Sequence, residues 1–142
     1  MPQDPHPPSG YTQPGAVVQT KSGSVYLRAD GIMKVDLIPN RIIQIEEAIE
    51  LIQAQEIIAG GVRRPLLVDL RSIQSINRPA RVYLGGEEAA KNVSATALHI
   101  KSLFSQIIGN FMIGMNKTLY PTALFVSEEQ ALEWLAGFMK HP

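Results

Sequence analysis

Residues 66–70 read LLVDL, a short apolar run that directly follows Pro65 near the middle of the chain. Such a run, with Asp69 as its one carboxylate, is typical of a strand that is covered on both faces of a parallel sheet. We therefore predict that residues 66–70 form the central strand of a layered α/β domain.

The segment before this run predicts a hairpin followed by a helix. Residues 25–29 and 32–37 alternate apolar and polar side chains on either side of Asp30-Gly31, a dipeptide typical of tight antiparallel turns. From residue 45 the apolar side chains recur at helical spacing. We expect this helix to end at Gly60-Gly61, because glycine adopts left-handed backbone angles without a steric penalty.

The segment after this run continues the alternation of strands and helices. The predicted elements are a helix from Pro79 towards Asn92 that kinks or splits at Gly85-Gly86, a strand over 94–100, a helix from Ser102 to Gly114, a strand over 122–126 and a last helix from Ser127. The order β-β-α-β-α-β-α-β-α predicts the α/β class. We expect a mainly parallel five-stranded sheet with an antiparallel N-terminal edge hairpin and four helices.

Length and local composition predict the domain organisation. The chain has 142 residues, which suits a single domain. Residues 1–22 are rich in proline and poor in apolar side chains, so we predict a disordered tail there and one domain over 23–142. The first residues lack the basic and apolar parts of a signal peptide, and no apolar run is long enough to cross a bilayer. We therefore expect a cytoplasmic protein without a transmembrane segment.

The residue composition argues against several classes of function. Thirteen basic and thirteen acidic residues cancel, so we expect no nucleic-acid partner. The chain has no cysteine, which removes disulfides, zinc ribbons and thiol nucleophiles. His6, His99 and His141 have no metal-ligand spacing, and no phosphate-binding loop or nucleophile motif is present. We expect no catalytic residue, no metal site and no cofactor, and hence not an enzyme.

Several short motifs carry a resemblance to a known family. The stretches are IGNF at 108–111, GMNK at 114–117, YPT at 120–122 and FVSEEQALEWL at 125–135, with LVDLR at 67–71 and SATAL at 94–98. Together they resemble a family of small bacterial proteins described as STAS-like, related in fold to SpoIIAA-type anti-sigma-factor antagonists and to CRAL-TRIO lipid-binding domains. The resemblance covers about residues 24 to 140. It implies a sheet with helices packed on it and a bacterial cytosolic setting, and it implies no reaction.

One segment departs from the STAS pattern. Antagonists of that family carry a phosphorylatable Ser or Thr behind an Asp at the start of the helix after the central strand, and a phosphate there changes the charge of the partner surface. In this chain Asn77 and Arg78 occupy the position of that pair, and Ser72 and Ser75 do not lie at the helix start. The resemblance therefore implies the scaffold without the usual phospho-Ser switch.

The loop after the central strand gathers the polar candidates. Asp69 can bind a metal or act as a base at a strand end, or it can accept backbone N–H groups and pair with Arg71 or Arg78. The absence of a second acid nearby in sequence favours the structural role. Arg71, Arg78 and Arg81 flank the same loop as Asn77, so this loop forms either an anion-binding surface or a solvated basic rim.

The predicted helix from Leu103 to Gly114 is apolar on nearly all sides. Its large side chains include Phe104, Phe111 and Met112, and Met115 follows directly after it. Such a helix is either fully buried or uses its second side to contact another subunit, a lipid or an apolar ligand.

These patterns predict a non-enzymatic regulatory or protein-interaction module. Its expected partner is another protein, including a second copy of the chain as a homodimer, bound through the helix faces at 78–84 and 103–115. The alternative is a carrier or sensor of a small apolar ligand or lipid, as the CRAL-TRIO relationship implies.

Overall fold

The computed structural model describes residues 13–102 and 118–139. The strands in these ranges are β1 (Val17–Gln19), β2 (Gly23–Leu27), β3 (Met33–Leu37), β4 (Ile42–Ile43), β5 (Arg64–Asp69), β6 (Ser75–Ile76), β7 (Val93–His99) and β8 (Thr122–Phe125). The helices in these ranges are α1 (Ile45–Ala59), α2 (Arg78–Leu84), α3 (Glu87–Ala90) and α4 (Glu128–Ala136).

Six of these strands form one sheet in the order β1-β2-β3-β5-β7-β8, and β4 and β6 pair separately. The pairs β1–β2 and β2–β3 are antiparallel, whereas β3–β5, β5–β7 and β7–β8 are parallel. Strand β5 lies inside the sheet, and its Leu66 and Leu67 are buried. The predicted α/β class, the parallel sheet with an antiparallel N-terminal edge and the interior position of the LLVDL strand are thus confirmed.

The prediction of five strands is wrong, because the main sheet has six in the described part of the chain. The additional strand is β1, whose Val17 lies opposite Tyr26 and whose Gln19 lies opposite Ser24. Its three residues are too few to show a period of two, and its neighbours Pro14 and Gly15 are typical of a loop. The predicted domain start at residue 23 therefore falls inside a paired segment, and residues 1–12 lie outside the described ranges.

The local turn and cap predictions are confirmed at three places. The hairpin turn at Asp30-Gly31 joins β2 to β3, with the Gly31 N–H donating to Arg28 O at 3.0 Å. Helix α1 ends at Gly60, which has a left-handed φ of 65°. Ser127 caps α4 by accepting the Gln130 N–H at 3.2 Å.

The helix predicted from Pro79 towards Asn92 is split at Gly85-Gly86 into α2 and α3, as expected. Pro79 lies in the first turn of α2, where its missing N–H costs no helical hydrogen bond. The helix predicted from Ser102 to Gly114 lies almost entirely outside the described residues.

The two faces of the sheet support two cores, because alternate strand residues point to opposite faces. Val35 and Leu66 belong to the larger core, which α1 covers. Leu67 and Ala97 belong to the smaller core, in which Leu135 of α4 is fully buried. Burying a Leu side chain of this kind contributes about 1.5–3 kcal/mol to stability.

We expect Gly23→Ala to destabilise the fold by about 2–4 kcal/mol, because it forces two strands apart. A Cβ at this position would lie 2.0 Å from Asp36 O in the neighbouring strand. Gly15→Ala is the control: Gly15 has a φ of +93° and nothing within 4 Å of an added Cβ. That change should cost only about 1 kcal/mol. Urea unfolding measures both, and equal costs would contradict the close approach.

Candidate functional site

A cavity of about 370 Å³ lies between the sheet and the helices α1 and α2. Its apolar lining comes from strand residues such as Val68 and Leu98 and from helix residues such as Leu51 and Leu84. The further apolar side chains of the lining are Val35, Leu37, Ile43, Ile52, Leu66, Leu70, Ile76 and Val82.

The arrangement of the helices explains where the cavity forms. Helix α1 packs over β1, β2 and β3, whereas α2 packs against α1 and α3. On this face the side chains of β5, β7 and β8 therefore border the cavity, including Val68, Thr96 and Thr122. Val68 is only half-buried although its strand is interior, which is consistent with open space beside it.

A buried amide lies in the apolar lining. Gln55 projects from the inner face of α1 and is 3% exposed. It lines the cavity, and within the described part of the chain its Oε1 has no hydrogen-bond partner. A buried acceptor without a partner costs about 1–3 kcal/mol, so this atom is expected to bond to something that enters the cavity.

Two arginines of α2 line the cavity, Arg78 in the first turn of the helix and Arg81 in its last turn. Arg81 donates from Nη1 to Ile76 O at 2.6 Å, and Arg78 is exposed. Neither forms an ion pair with a carboxylate of residues 13–102 or 118–139. Asn77 caps the same helix, its side-chain oxygen accepting the Ala80 N–H at 3.1 Å. Asn77 therefore has a structural role that fixes the position of the two arginines.

Tyr120 joins the segment before β8 to the end of α2. Its hydroxyl donates to Leu84 O, and the Leu119 N–H donates to Gly85 O at 3.1 Å. Burial raises the pKa of Tyr120 to about 12, so the phenol stays protonated at neutral pH. Its hydrogen bond connects two residues that line the cavity, Tyr120 and Leu84.

The opposite face of the sheet carries a polar row at the strand ends. Strand register places Asp36, Asp69 and His99 side by side at the carboxyl ends of β3, β5 and β7. Lys34 is buried near the same row, with its Nζ 2.8 Å from Asp36 Oδ1 and 3.8 Å from Glu128 Oε1. His99 is 4% exposed, and its Nδ1 has no partner in the described residues.

The two carboxylates of this polar row form ion pairs with neighbouring basic side chains. Arg71 holds Asp69 by two side-chain hydrogen bonds, each of 2.9 Å, and by its backbone N–H at 3.0 Å. These side-chain hydrogen bonds lower the pKa of Asp69. Burial opposes the charge on Lys34, but its hydrogen bond to Asp36 raises the pKa of the amine above its ordinary value. The pairing with Arg71 gives Asp69 a structural role.

The structure separates residues that the sequence analysis grouped around one loop. Asp69 and Arg71 lie with α4 on one face of the sheet, whereas Arg78 and Arg81 line the cavity on the other. Only Arg78 and Arg81 of the three arginines line the cavity, and an anion surface that includes Arg71 stays a prediction. The candidates Phe104, Phe111, Met112 and Met115 lie outside the described residues.

The sequence analysis did not identify Gln55 as a candidate, although its spacing from apolar residues indicates a buried position. It follows Ile52 by three residues and Leu51 by four, so it belongs to the buried face of α1. A polar residue in that apolar face is expected to have a partner or a function.

The described residues form neither a metal-binding cluster nor a membrane-spanning helix. No three or more His, Cys, Asp or Glu side chains among them are placed to hold a metal ion. None of their helices combines the length and apolar character needed to cross a membrane.

Comparison with known proteins places the chain by family and by fold. A family model described as "Domain of unknown function (DUF7793)" matches residues 25–139. A crystal structure of an uncharacterized protein from the DUF3478 family with a SpoIIAA-like fold, from Shewanella loihica PV-4, is 14% identical. The match covers 84% of this chain and 90% of that one with a TM-score of 0.52. No curated protein sequence matches significantly. The likeness shows the SpoIIAA-like fold, as the resemblance implied.

We expect Asp69→Asn to reduce the acid sensitivity of folding. The pKa of Asp69 is lower in the folded chain than in the unfolded chain, so its contribution is present above about pH 4 and is lost as the pH falls through the folded pKa. Because Arg71 is half-exposed, the contribution is about 1 kcal/mol.

Urea unfolding between about pH 7 and about pH 2 measures this effect. Arg71→Gln, which removes the partner, should give the same flatter profile. An unchanged acid profile in both variants would show that the Asp69–Arg71 pair does not contribute.

Proposed function

The chain belongs to the family described as "Domain of unknown function (DUF7793)", and we propose that it is a non-enzymatic carrier or sensor of a small, mainly apolar ligand. The cavity between the sheet and α1/α2 is the observation that carries this proposal. Of the two functions that the sequence predicts, ligand binding is the one that this geometry supports better.

The size of the cavity suits one small molecule. Its volume of about 370 Å³ falls within the range of about 300–1,000 Å³ that is usual for ligand sites. At about 30 Å³ for each water-sized group, it has room for about twelve non-hydrogen atoms. The apolar lining supports binding by removal of apolar surface from water.

The chemistry of the lining supports binding rather than reaction. The described lining residues include no histidine, carboxylate, lysine or serine. The Tyr120 hydroxyl is engaged with Leu84 O, and its raised pKa makes it a poor base at neutral pH. The absence of a nucleic-acid partner and the cytoplasmic setting stay predictions from the sequence.

We expect Val68→Phe to abolish ligand binding without unfolding the domain. The larger ring would occupy the cavity that Val68 lines from the central strand. Decanol, an apolar probe of suitable size, should bind the parent chain in calorimetry, and the variant should bind it at least about tenfold more weakly.

Ile57→Phe is the matched control, because Ile57 is 63% exposed on α1 and does not line the cavity. It should bind decanol like the parent. Native mass spectrometry of the purified parent chain should also show a retained small molecule. Failure of the parent to bind decanol or retain a ligand would contradict the proposal.

A regulatory or protein-interaction role is the second candidate, and the exposure of α2 favours it. Val82 is 67% exposed on this helix, and Arg78 is exposed beside it. Because α2 also lines the cavity, a ligand that shifts α2 would alter the surface that a partner contacts.

We expect Val82→Glu to abolish binding of a protein partner, because a charge on this apolar position would have to be desolvated in the interface. Affinity capture, with light scattering for a second copy of the chain, measures the loss. Ile57→Glu, at another exposed apolar position, is the control. Equal capture of the partner by both variants would contradict a role for α2 in partner binding.

A further inference from the structure

We infer that the ligand is an amphipathic carboxylate of about twelve non-hydrogen atoms, with a hydroxyl or carbonyl oxygen near the end remote from its carboxylate. This inference rests on the proposed function, since it names the ligand of the same cavity. Two separate observations carry it: the two arginines of α2 and the buried amide on α1.

The arginines specify the charged end of the ligand. Arg78 and Arg81 line the cavity, and neither pairs with a carboxylate in the described ranges. Their guanidinium N–H groups match the two oxygens of a carboxylate. Arg81 donates one of its N–H groups to Ile76 O, and the other N–H groups of the two side chains remain for a ligand carboxylate.

Gln55 specifies the oxygen in the apolar part of the ligand. Its Oε1 is buried without a partner among the described residues, so it can accept a hydrogen bond from a ligand hydroxyl. With its amide rotated by half a turn, the same side chain would donate to a ligand carbonyl. A purely apolar ligand would leave this amide unsatisfied.

The topology puts these polar groups towards opposite ends of the cavity. Helices α1 and α2 each begin after the carboxyl end of a strand and lead to the amino end of the next parallel strand. Arg78, at the start of α2, is therefore near the carboxyl ends of the strands. Gln55, late in α1, is near the amino ends. A ligand that contacts both places needs a polar group at each end.

Calorimetric titration with decanol, decanoate and 10-hydroxydecanoate tests the inference. Decanoate should bind about tenfold more tightly than decanol, because its charged head gains hydrogen bonds to arginine. The hydroxyl of 10-hydroxydecanoate should add about a further fivefold through Gln55. Decyl phosphate is included, and preferential binding of this probe would overturn the choice of a carboxylate.

Matched variants assign each preference to its side chain. Arg78→Gln should remove most of the preference for decanoate over decanol, whereas Arg71→Gln, on the opposite face, should keep it. Gln55→Leu should remove the gain from the hydroxyl while decanoate still binds. Gln53→Leu, at an exposed position of α1, should leave both preferences unchanged.

The outcomes separate the two proposals. If neither decanol nor decanoate binds, the proposed function and this inference fail together. If both bind equally and the hydroxyl adds nothing, the cavity binds apolar ligands and the carboxylate assignment is overturned. Melting temperatures of all variants show whether a loss of binding reflects a loss of folding, and Gln55→Leu is expected to melt no lower than the parent.

Discussion

The burial of β5 from both sides is the constraint on which the rest of the structure depends. Leu66 on one face and Leu67 on the other are each no more than 3% exposed, so apolar cover is required above and below the sheet. Helix α4 supplies that cover on one face, and α1 with α2 supplies it on the other. On the second face α2 packs mainly on α1, and the cavity lies between these helices and the sheet.

The two faces consequently differ in chemistry. On the α4 face the strand ends carry Asp36, Asp69 and His99. The two carboxylates form ion pairs, Asp36 with Lys34 and Asp69 with Arg71. On the cavity face the arginines have no such carboxylate partners in the described residues, and Gln55 Oε1 has no hydrogen-bond partner there. Paired charges make the first face a structural element. Polar groups without partners among the described residues are the reason why we propose a ligand site on the second face.

Local sequence patterns were sufficient to predict the fold. The position of the candidate site depends instead on contacts between residues that are far apart in the sequence. The turn at Asp30-Gly31, the helix end at Gly60 and the cap at Ser127 depend on residues close in sequence, so one chain suffices to find them. Strand β1 depends on pairing with β2, and three residues carry no reliable period. The separation of Arg71 from Arg78 also escaped prediction, because it depends on where the loop between them crosses the sheet.

Strand β1 has a consequence for the edge of the main sheet. It covers the outer hydrogen-bonding edge of β2 with only three residues, and its exposed Val17 and Gln19 face solvent. A chain shortened to begin at residue 23 would leave the longer β2 edge unpaired. Open edges of that kind recruit strands from other molecules. Residues 17–19 therefore shield the β2 edge, and a domain boundary placed at residue 23 from composition would remove them.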